Sequence, residues 1–143
     1  LMLNSDYYLE NNKNNIPTGK LINVEGTYYD FRKFERIGDF IQKKGSGFDE
    51  NFIIRSKSKL VARLLSKKNK IELSLYSNQP GVQFYTGQHL KYHSKNKIIK
   101  KYQGLCLETQ FYPNSPNNKK FPSTLITPNN TYNHNMRFVI KEF

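Results

Sequence analysis

The sequence predicts an all-β fold, mostly antiparallel and arranged as a sandwich or a barrel. Aromatic residues favour strands, and the chain contains 10 Tyr and 10 Phe. Apolar and polar residues alternate over short runs such as 71–76, and turn residues separate these runs. At 143 residues the chain is long enough for one domain with a substantial core.

The first part of the chain is predicted to contain a lead-in and two strands. Residues 1–15 are polar and rich in asparagine, and we interpret them as a lead-in to the domain. Pro17 and Gly19 indicate a turn, because proline fixes one φ angle and glycine accepts a positive one. Short strands are predicted at 21–24 and 26–31, where aromatic and β-branched residues are frequent.

One short helix is predicted over residues 32–44. Apolar side chains recur there at spacings of three and four residues, at Phe34, Ile37, Phe40 and Ile41. Gly38 lowers the helix propensity, and the glycines of 45–47 are expected to end the segment in a loop. Residues 48–54 then form the junction between that loop and the next strand.

The second half of the chain is predicted to consist of strands and loops. Residues 60–65 and 71–76 flank a polar segment, which is typical of a β-hairpin. Two further strands are predicted at 82–86 and 106–110. The basic segment 89–101 is predicted to be a surface loop. Three prolines mark another loop after Phe111, and a last strand is expected where Met136, Phe138 and Ile140 alternate.

The composition indicates which kinds of partner and which cellular compartment to expect. A net charge of +12 raises the question of nucleic-acid binding. However, the 23 basic residues are 18 Lys and 5 Arg, and they occur with 17 Asn in polar tracts. This pattern indicates solvated surface more than the arginine-rich recognition of phosphate, so we do not expect a nucleic-acid partner. One cysteine, Cys106, excludes an internal disulfide and favours the cytoplasm. No apolar run approaches the roughly 20 residues of a membrane helix, and no membrane segment is expected.

Three polar residues on predicted strands or strand ends are candidates for a site. Glu108 is a carboxylate in a strand, where it either serves a function or faces solvent. Asp49 follows a glycine loop, where it either faces a site or caps a turn, and Gln83 lies in mid-strand. No phosphate-binding glycine loop, paired Cys/His metal spacing or serine nucleophile elbow occurs. The only histidines, His89, His93 and His134, are interpreted as loop residues.

Six short motifs occur in an order that is typical of one enzyme family. They are Ile16-Pro17-Thr18-Gly19; Gly26-Thr27 with Tyr29-Asp30-Phe31-Arg32; Gly47-Phe48-Asp49 with Asn51-Phe52; 79–87; Gly104 with 106–110; and Phe121-Pro122-Ser123. In this order they resemble the C-terminal half of the aldose 1-epimerases, also called galactose mutarotases. The similarity runs from Ile16 nearly to the end of the chain. Residues 1–143 are accordingly predicted to be the C-terminal portion of a single aldose 1-epimerase-like domain.

The resemblance implies a fold, an activity and roles for three residues. It implies part of a large antiparallel β-sandwich, the galactose mutarotase-like supersandwich, and interconversion of the α and β anomers of free aldohexoses such as glucose or galactose. Glu108 matches the general base of the family, Asp49 matches its sugar-hydroxyl ligand, and Gln83 matches a further polar contact beside the sugar ring. The implied reaction requires no metal ion and no organic cofactor.

The chain also departs from the family pattern. The histidine that serves as general acid, and an arginine and second histidine that hold the substrate, lie upstream of the matched region and have no counterpart here. Glu50 replaces a usual histidine beside Asp49, and Asn114 replaces a usual aspartate in a loop. Two interpretations stay open. The chain is a fragment of an active mutarotase, as its Leu1 start indicates, or it is an inactive relative that binds carbohydrate or regulates. In either case the isolated chain should be nearly inactive and should expose apolar surface.

Overall fold

Two antiparallel sheets form the body of the structure, which is a computed structural model that describes residues 1–55, 59–94 and 97–143. The elements are β1 (Met2–Leu3), β2 (Tyr7–Asn11), β3 (Pro17–Asn23), α1 (Ile37–Lys44), β4 (Asp49–Ile53), β5 (Leu60–Ser66), β6 (Ile71–Ser77), β7 (Gly81–Tyr85), β8 (Tyr92–Ser94), β9 (Lys97–Ile99), β10 (Cys106–Gln110) and β11 (Met136–Glu142), with a 3-10 turn at Ser115–Asn117. One sheet has the order β10-β7-β4-β2-β3 and the other β1-β5-β6-β11, while β8 and β9 pair with each other. The predicted all-β antiparallel fold is confirmed.

The core lies between the two sheets and is rich in phenylalanine. Phe52 and Phe84 come from the five-stranded sheet, and Phe31 and Phe48 come from the connections before β4; all four are at most 1% exposed. Their rings pack at centroid distances of 5.3 to 6.5 Å. Leu75 and other residues of the four-stranded sheet complete the same cluster. The other face of the five-stranded sheet is therefore free to carry polar side chains.

Residues 1–15 are part of the fold, so their interpretation as a lead-in is wrong. β1 pairs with β5, and β2 lies inside the five-stranded sheet between β3 and β4. Leu3 and Leu9 are fully buried at 1% and 0% exposure. The asparagine-rich residues 12–15 form the turn between β2 and β3. They make the whole segment polar in composition, although the residues before them include buried apolar side chains.

The chain between Pro17 and Phe31 also differs from the prediction. Pro17 and Gly19 lie within β3, where Gly19 adopts a φ of +95°. The strand predicted at 21–24 is the end of β3, whereas the segment 26–31 is a series of turns. The Thr27 side chain explains this, because its hydroxyl donates to the Val24 carbonyl at 2.7 Å and accepts the Tyr29 N–H at 3.0 Å.

The predicted helix exists but begins five residues later, at Ile37. Phe34 lies outside it, 40% exposed, with the Arg63 guanidinium 5.0 Å from its ring centre. The Glu35 N–H donates to the Leu1 carbonyl at 2.9 Å, so this part of the chain is held by the residue before β1 instead of by a helical turn. The end was predicted correctly: Gly45 takes a left-handed φ of 77° and its N–H caps Ile41.

The remaining strands agree with the prediction except in one segment. The hairpin of β5 and β6, and the strands β7, β10 and β11, lie where they were expected. The segment 89–101 is at the surface but contains the β8–β9 pair instead of only a loop; its residues Lys95 and Asn96 lie outside the described residues. On β11, Met136, Phe138 and Ile140 are 49 to 67% exposed, as expected for an incomplete sandwich. No helix in the described ranges is long and apolar enough to cross a membrane.

Candidate functional site

The strand register brings polar residues of three neighbouring strands into one row. On β10, Glu108 lies opposite Gln83 of β7, and Gln83 in turn lies opposite Asn51 of β4. Because directly opposed residues share a face of the sheet, all three side chains point away from the phenylalanine core. Adjacent strands are about 4.8 Å apart, so the row spans roughly 10 Å. This length suits a small polar ligand.

Asp49 joins this row from the neighbouring position on the same face of β4. It is two residues before Asn51, and strand alternation places both side chains on one side. The Gln83 side chain donates from Nε2 to Asp49 Oδ1 at 2.9 Å. The Gln83 Oε1 atom is buried and has no hydrogen-bond partner. Gln83 therefore connects the Asp49 carboxylate on β4 to β7, the strand that pairs with the strand of Glu108.

These residues line a pocket of about 310 Å³. Its wall consists of Asn11, Asn15, Asp49, Asn51, Gln83, Glu108, Gln110 and Pro113. Asp49 and Gln83 are half-buried, whereas Glu108 is exposed at the open side. All three site residues predicted from the sequence thus meet in one pocket. We refer to it below as the Glu108 pocket.

Asn51 belongs to this pocket but was not recognised as a site residue from the sequence. It is 2% exposed, and neither its Oδ1 nor its Nδ2 has a hydrogen-bond partner. A buried amide without partners costs free energy, which identifies the residue as a candidate ligand for a polar substrate. The sequence signal was its position two residues after Asp49, since this spacing places both on one face of a strand.

Gly81 makes room for the Asn51 amide. A Cβ atom on Gly81 would lie 2.6 Å from Asn51 Oδ1 and 3.2 Å from the Tyr112 ring. We expect Gly81→Ala to lower the free energy of unfolding by about 1–3 kcal/mol, because the methyl group overfills the site. Chemical denaturation measures this change. Gly38→Ala is the control: nothing lies within 4 Å of that position in α1, and the substitution should stabilise by about 0.4–1 kcal/mol. Equal stability of the two variants would contradict the packing described for Gly81.

Cys106 lies on the pocket side of β10, two residues before Glu108. The pKa of its thiol is raised, first by partial burial and then by the charge of Glu108 and a hydrogen bond to it. A raised pKa keeps the thiol protonated at neutral pH and makes it a poor nucleophile. Cys106 is thus a protonated neighbour of the Glu108 carboxylate.

No histidine lines the Glu108 pocket in the part of the chain that the structure describes. His134 Nε2 lies 2.8 Å from the hydroxyl of Thr109, which is buried and on the opposite face of β10 from Glu108. His89 and His93 are exposed. Within the described ranges, no group of three or more His, Cys, Asp or Glu side chains is arranged to hold a metal ion.

A larger cleft of about 730 Å³ adjoins the Glu108 pocket. Gln110 and Pro113 line both cavities. The rest of the cleft includes the rings of Phe111 and Tyr132, whose centroids are 6.2 Å apart, together with the exposed Leu125. The two cavities are therefore neighbours, separated by Gln110 and Pro113.

Comparison with known proteins places this arrangement in a family. The sequence model described as "Aldose 1-epimerase" matches residues 1–139. The chain belongs to the aldose 1-epimerase family. The match begins at residue 1, so the similarity that the motifs indicated from Ile16 onwards extends through β1 and β2 as well.

Individual relatives agree with this assignment. The chain is 41% identical over 140 residues to galactose mutarotase from Mus musculus, which covers 94% of the chain and 41% of the mouse protein. It is 34% identical over 133 residues to aldose 1-epimerase from Escherichia coli, covering 85% of the chain and 38% of that protein. The chain thus spans about two fifths of the length of the curated relatives it matches.

Solved structures share the fold. A GalM/aldose epimerase homologue from C. elegans superimposes with a TM-score of 0.89 at 24% identity, over 99% of this chain and 45% of that one. Galactose 1-epimerase from Lactobacillus acidophilus superimposes with a TM-score of 0.82 at 29% identity, over 99% of this chain and 43% of that one. The predicted mutarotase-like sandwich is confirmed, and the chain corresponds to part of it.

Proposed function

We propose that this chain forms the base-bearing half of an aldose 1-epimerase, in which Glu108 removes the proton of the anomeric hydroxyl of a free aldohexose. The observation that supports this most is the row of Glu108, Gln83 and Asn51 across three strands, with Asp49 hydrogen-bonded to Gln83, the central residue of the row. A pocket of 310 Å³ with a carboxylate at its open side and carboxylate and amide groups behind it suits a polar sugar.

The reaction explains why such groups are needed. Opening a hemiacetal removes the proton from the anomeric hydroxyl, and the carbonyl forms as the bond between C1 and the ring oxygen breaks. The ring oxygen takes a proton from a general acid. Rotation about the C1–C2 bond exposes the other face of the aldehyde, and ring closure reverses both proton transfers. A rigid strand holds Glu108 in place for both steps.

Asp49 and Gln83 would orient the sugar. Asp49 accepts hydrogen bonds from sugar hydroxyl groups, and the Gln83 Nε2 atom holds the Asp49 carboxylate at one oxygen. Asn51 supplies a further donor and acceptor in the same wall. No metal ion or organic cofactor takes part in this scheme.

The general acid is proposed to come from outside this chain. The family resemblance assigns it to a histidine in a segment upstream of the matched region, and no described histidine lines the Glu108 pocket. Loss of a general acid typically costs about 10²–10⁴-fold in rate, so the isolated chain should be almost inactive. The working enzyme is accordingly a longer protein that contains these 143 residues.

The full-length protein should accelerate the optical-rotation change of freshly dissolved α-D-glucose or α-D-galactose. Polarimetry measures the rate above the buffer-catalysed background. Methyl α-D-galactopyranoside is the matched control, because it lacks the anomeric O–H and should not change in rotation. A full-length protein that leaves the rotation rate of both free sugars at the background value would refute the proposed activity.

A catalytically inactive sugar-binding or regulatory chain is the second candidate. The observation in its favour is that the base and orienting residues line the Glu108 pocket, whereas no described histidine does. It predicts galactose-dependent chemical shifts at Gln83 and Asn51 with no acceleration of mutarotation, even in the full-length protein.

Nucleic acid is not a proposed partner despite the net charge of +12. The five arginines all lie in the described ranges and each contacts another side chain. Arg32, Arg36, Arg55 and Arg63 pair with carboxylates, and Arg137 lies 4.3 Å from the Tyr76 ring centre. Guanidinium groups engaged in this way are poorly placed to bind phosphate. A cytoplasmic location fits the small-molecule substrate and the single unpaired cysteine.

A further inference from the structure

A charged cluster lies behind Asp49, on the core side of the five-stranded sheet. Lys44 Nζ is 3.0 Å from Glu50 Oε1, and the side chains of Lys44 and Glu50 are only 12% and 14% exposed. The Tyr29 hydroxyl donates to the same Glu50 oxygen at 3.1 Å. We call these three residues the Glu50 cluster. They are neighbours of the pocket residues but do not line the Glu108 pocket.

The Glu50 cluster is connected to Asp49 through the backbone. The second carboxylate oxygen of Glu50, Oε2, accepts the N–H of Asp49 at 2.7 Å. Both oxygens of Glu50 are thus occupied, one by the Asp49 backbone and the other by Lys44 and Tyr29. On the pocket side, the Asp49 carboxylate is held by Gln83 at 2.9 Å. Asp49 is fixed from both faces of the sheet.

Lys44 and Tyr29 are themselves held firmly. Lys44 also donates to the Gly47 carbonyl at 2.5 Å, and its ammonium lies 5.1 Å from the Phe48 ring centre. Tyr29 stacks on Tyr8 with ring centroids 4.0 Å apart. The pKa of Tyr29 is raised, first by burial and then by the charge of Glu50, so its hydroxyl stays a donor at neutral pH. The cluster therefore ties α1, the glycine loop and the start of β4 together.

Burying the ion pair of Lys44 and Glu50 costs desolvation free energy. Its presence in the interior therefore indicates a role other than stabilising the fold. Desolvation of two charges commonly offsets their attraction, and apolar residues of similar volume often stabilise a fold equally well. The surroundings here are already aromatic, so additional apolar residues would pack readily. What an apolar replacement could not do is accept the N–H of Asp49.

We propose that Glu50 is a positioning residue: with Lys44 and Tyr29 it fixes the peptide of Asp49, and thereby the direction in which the Asp49 carboxylate meets a hydroxyl of the sugar. The effect on catalysis that this inference predicts rests on the proposed function. A misplaced orienting group lowers the rate for a bound substrate without being part of the proton transfers.

A double-mutant cycle on the full-length protein tests the catalytic consequence. Glu50→Met, which keeps the length of the side chain but cannot accept the Asp49 N–H, should lower kcat/KM for galactose by about 10-fold or more. In an Asp49→Ala background the same substitution should have less than about a 2-fold effect, because the carboxylate that it positions is gone. Equal fold-changes in both backgrounds would overturn the proposal, since a merely structural role acts independently of Asp49.

A second readout does not depend on activity. The side-chain NH₂ group of Gln83 donates to Asp49, so its proton resonances report the position of that carboxylate. They should shift in Glu50→Met. The control is Glu72→Met, which breaks another ion pair, with Arg63 at 2.6 Å, on the other sheet. This control should leave both the Gln83 resonances and kcat/KM unchanged. Unshifted Gln83 resonances in Glu50→Met would overturn the positioning role even if the protein had no mutarotase activity. A shift in a protein without activity would instead refute only the proposed function.

Discussion

Glu108→Gln should lower kcat for mutarotation of galactose by about 10²–10⁴-fold in the full-length protein, the contribution typical of a general base. Glutamine keeps the size of the side chain and can still accept a hydrogen bond, but it cannot take the proton of the anomeric hydroxyl. KM should change little, since Asp49, Gln83 and Asn51 still hold the sugar. Polarimetric initial rates over a range of galactose concentrations separate the two parameters.

The matched control for this variant is Glu142→Gln. Glu142 is also a strand glutamate exposed to solvent, but it lies on β11 of the other sheet. Its substitution should leave kcat and KM unchanged. Wild-type activity in Glu108→Gln, with an unchanged circular dichroism spectrum, would show that Glu108 is not the base.

Phe31→Ala should lower the free energy of unfolding by about 3–5 kcal/mol, the largest effect on stability expected from a single substitution here. Phe31 is 1% exposed and its ring lies 4.9 to 5.6 Å from those of Phe40, Phe48 and Phe84. Removing it leaves a cavity under the strands that carry the pocket. The midpoint of urea unfolding measures the loss.

Two further substitutions distinguish the loss of stability caused by the cavity from the general effects of replacing a phenylalanine. Phe31→Leu fills most of the volume and should cost less than about 1.5 kcal/mol. Phe34→Ala, at a position that is 40% exposed, should also cost clearly less than Phe31→Ala. Similar unfolding midpoints for Phe31→Ala and Phe34→Ala would contradict the central place of Phe31 in the core.

The sequence pattern was sufficient to predict the strands in which apolar and polar residues alternate without interruption. β10 lies at Cys106–Gln110 as predicted, and the β5–β6 hairpin was found from its alternating residues. The segment 26–31 shows the limit of the same reasoning. Of its aromatic residues, Phe31 is buried and Tyr29 half-buried as in a strand, but the Thr27 hydroxyl donates a hydrogen bond to the Val24 carbonyl and the chain turns there. Strand propensity reflects the environment that a side chain prefers. In this segment a local hydrogen bond determined the path of the backbone.

The site was only partly accessible from the sequence, for a similar reason. Glu108, Asp49 and Gln83 could be selected one at a time, but their meeting depends on the register of β10, β7 and β4, which is a long-range property. Asn51 and Glu50 were named in the sequence analysis but not selected as site residues, because their significance lies in burial and in partners. Asn51 is buried without a partner, whereas Glu50 is held by Lys44 and Tyr29. Neither condition is visible in a linear motif.

A crystal structure of the full-length protein with bound galactose tests the central claim most directly. We predict a pyranose in the Glu108 pocket, with its anomeric hydroxyl about 2.6–3.2 Å from the Glu108 carboxylate and another hydroxyl bonded to Asp49. A galactose that leaves this pocket empty and occupies the neighbouring 730 Å³ cleft beside Phe111 and Tyr132 would contradict it.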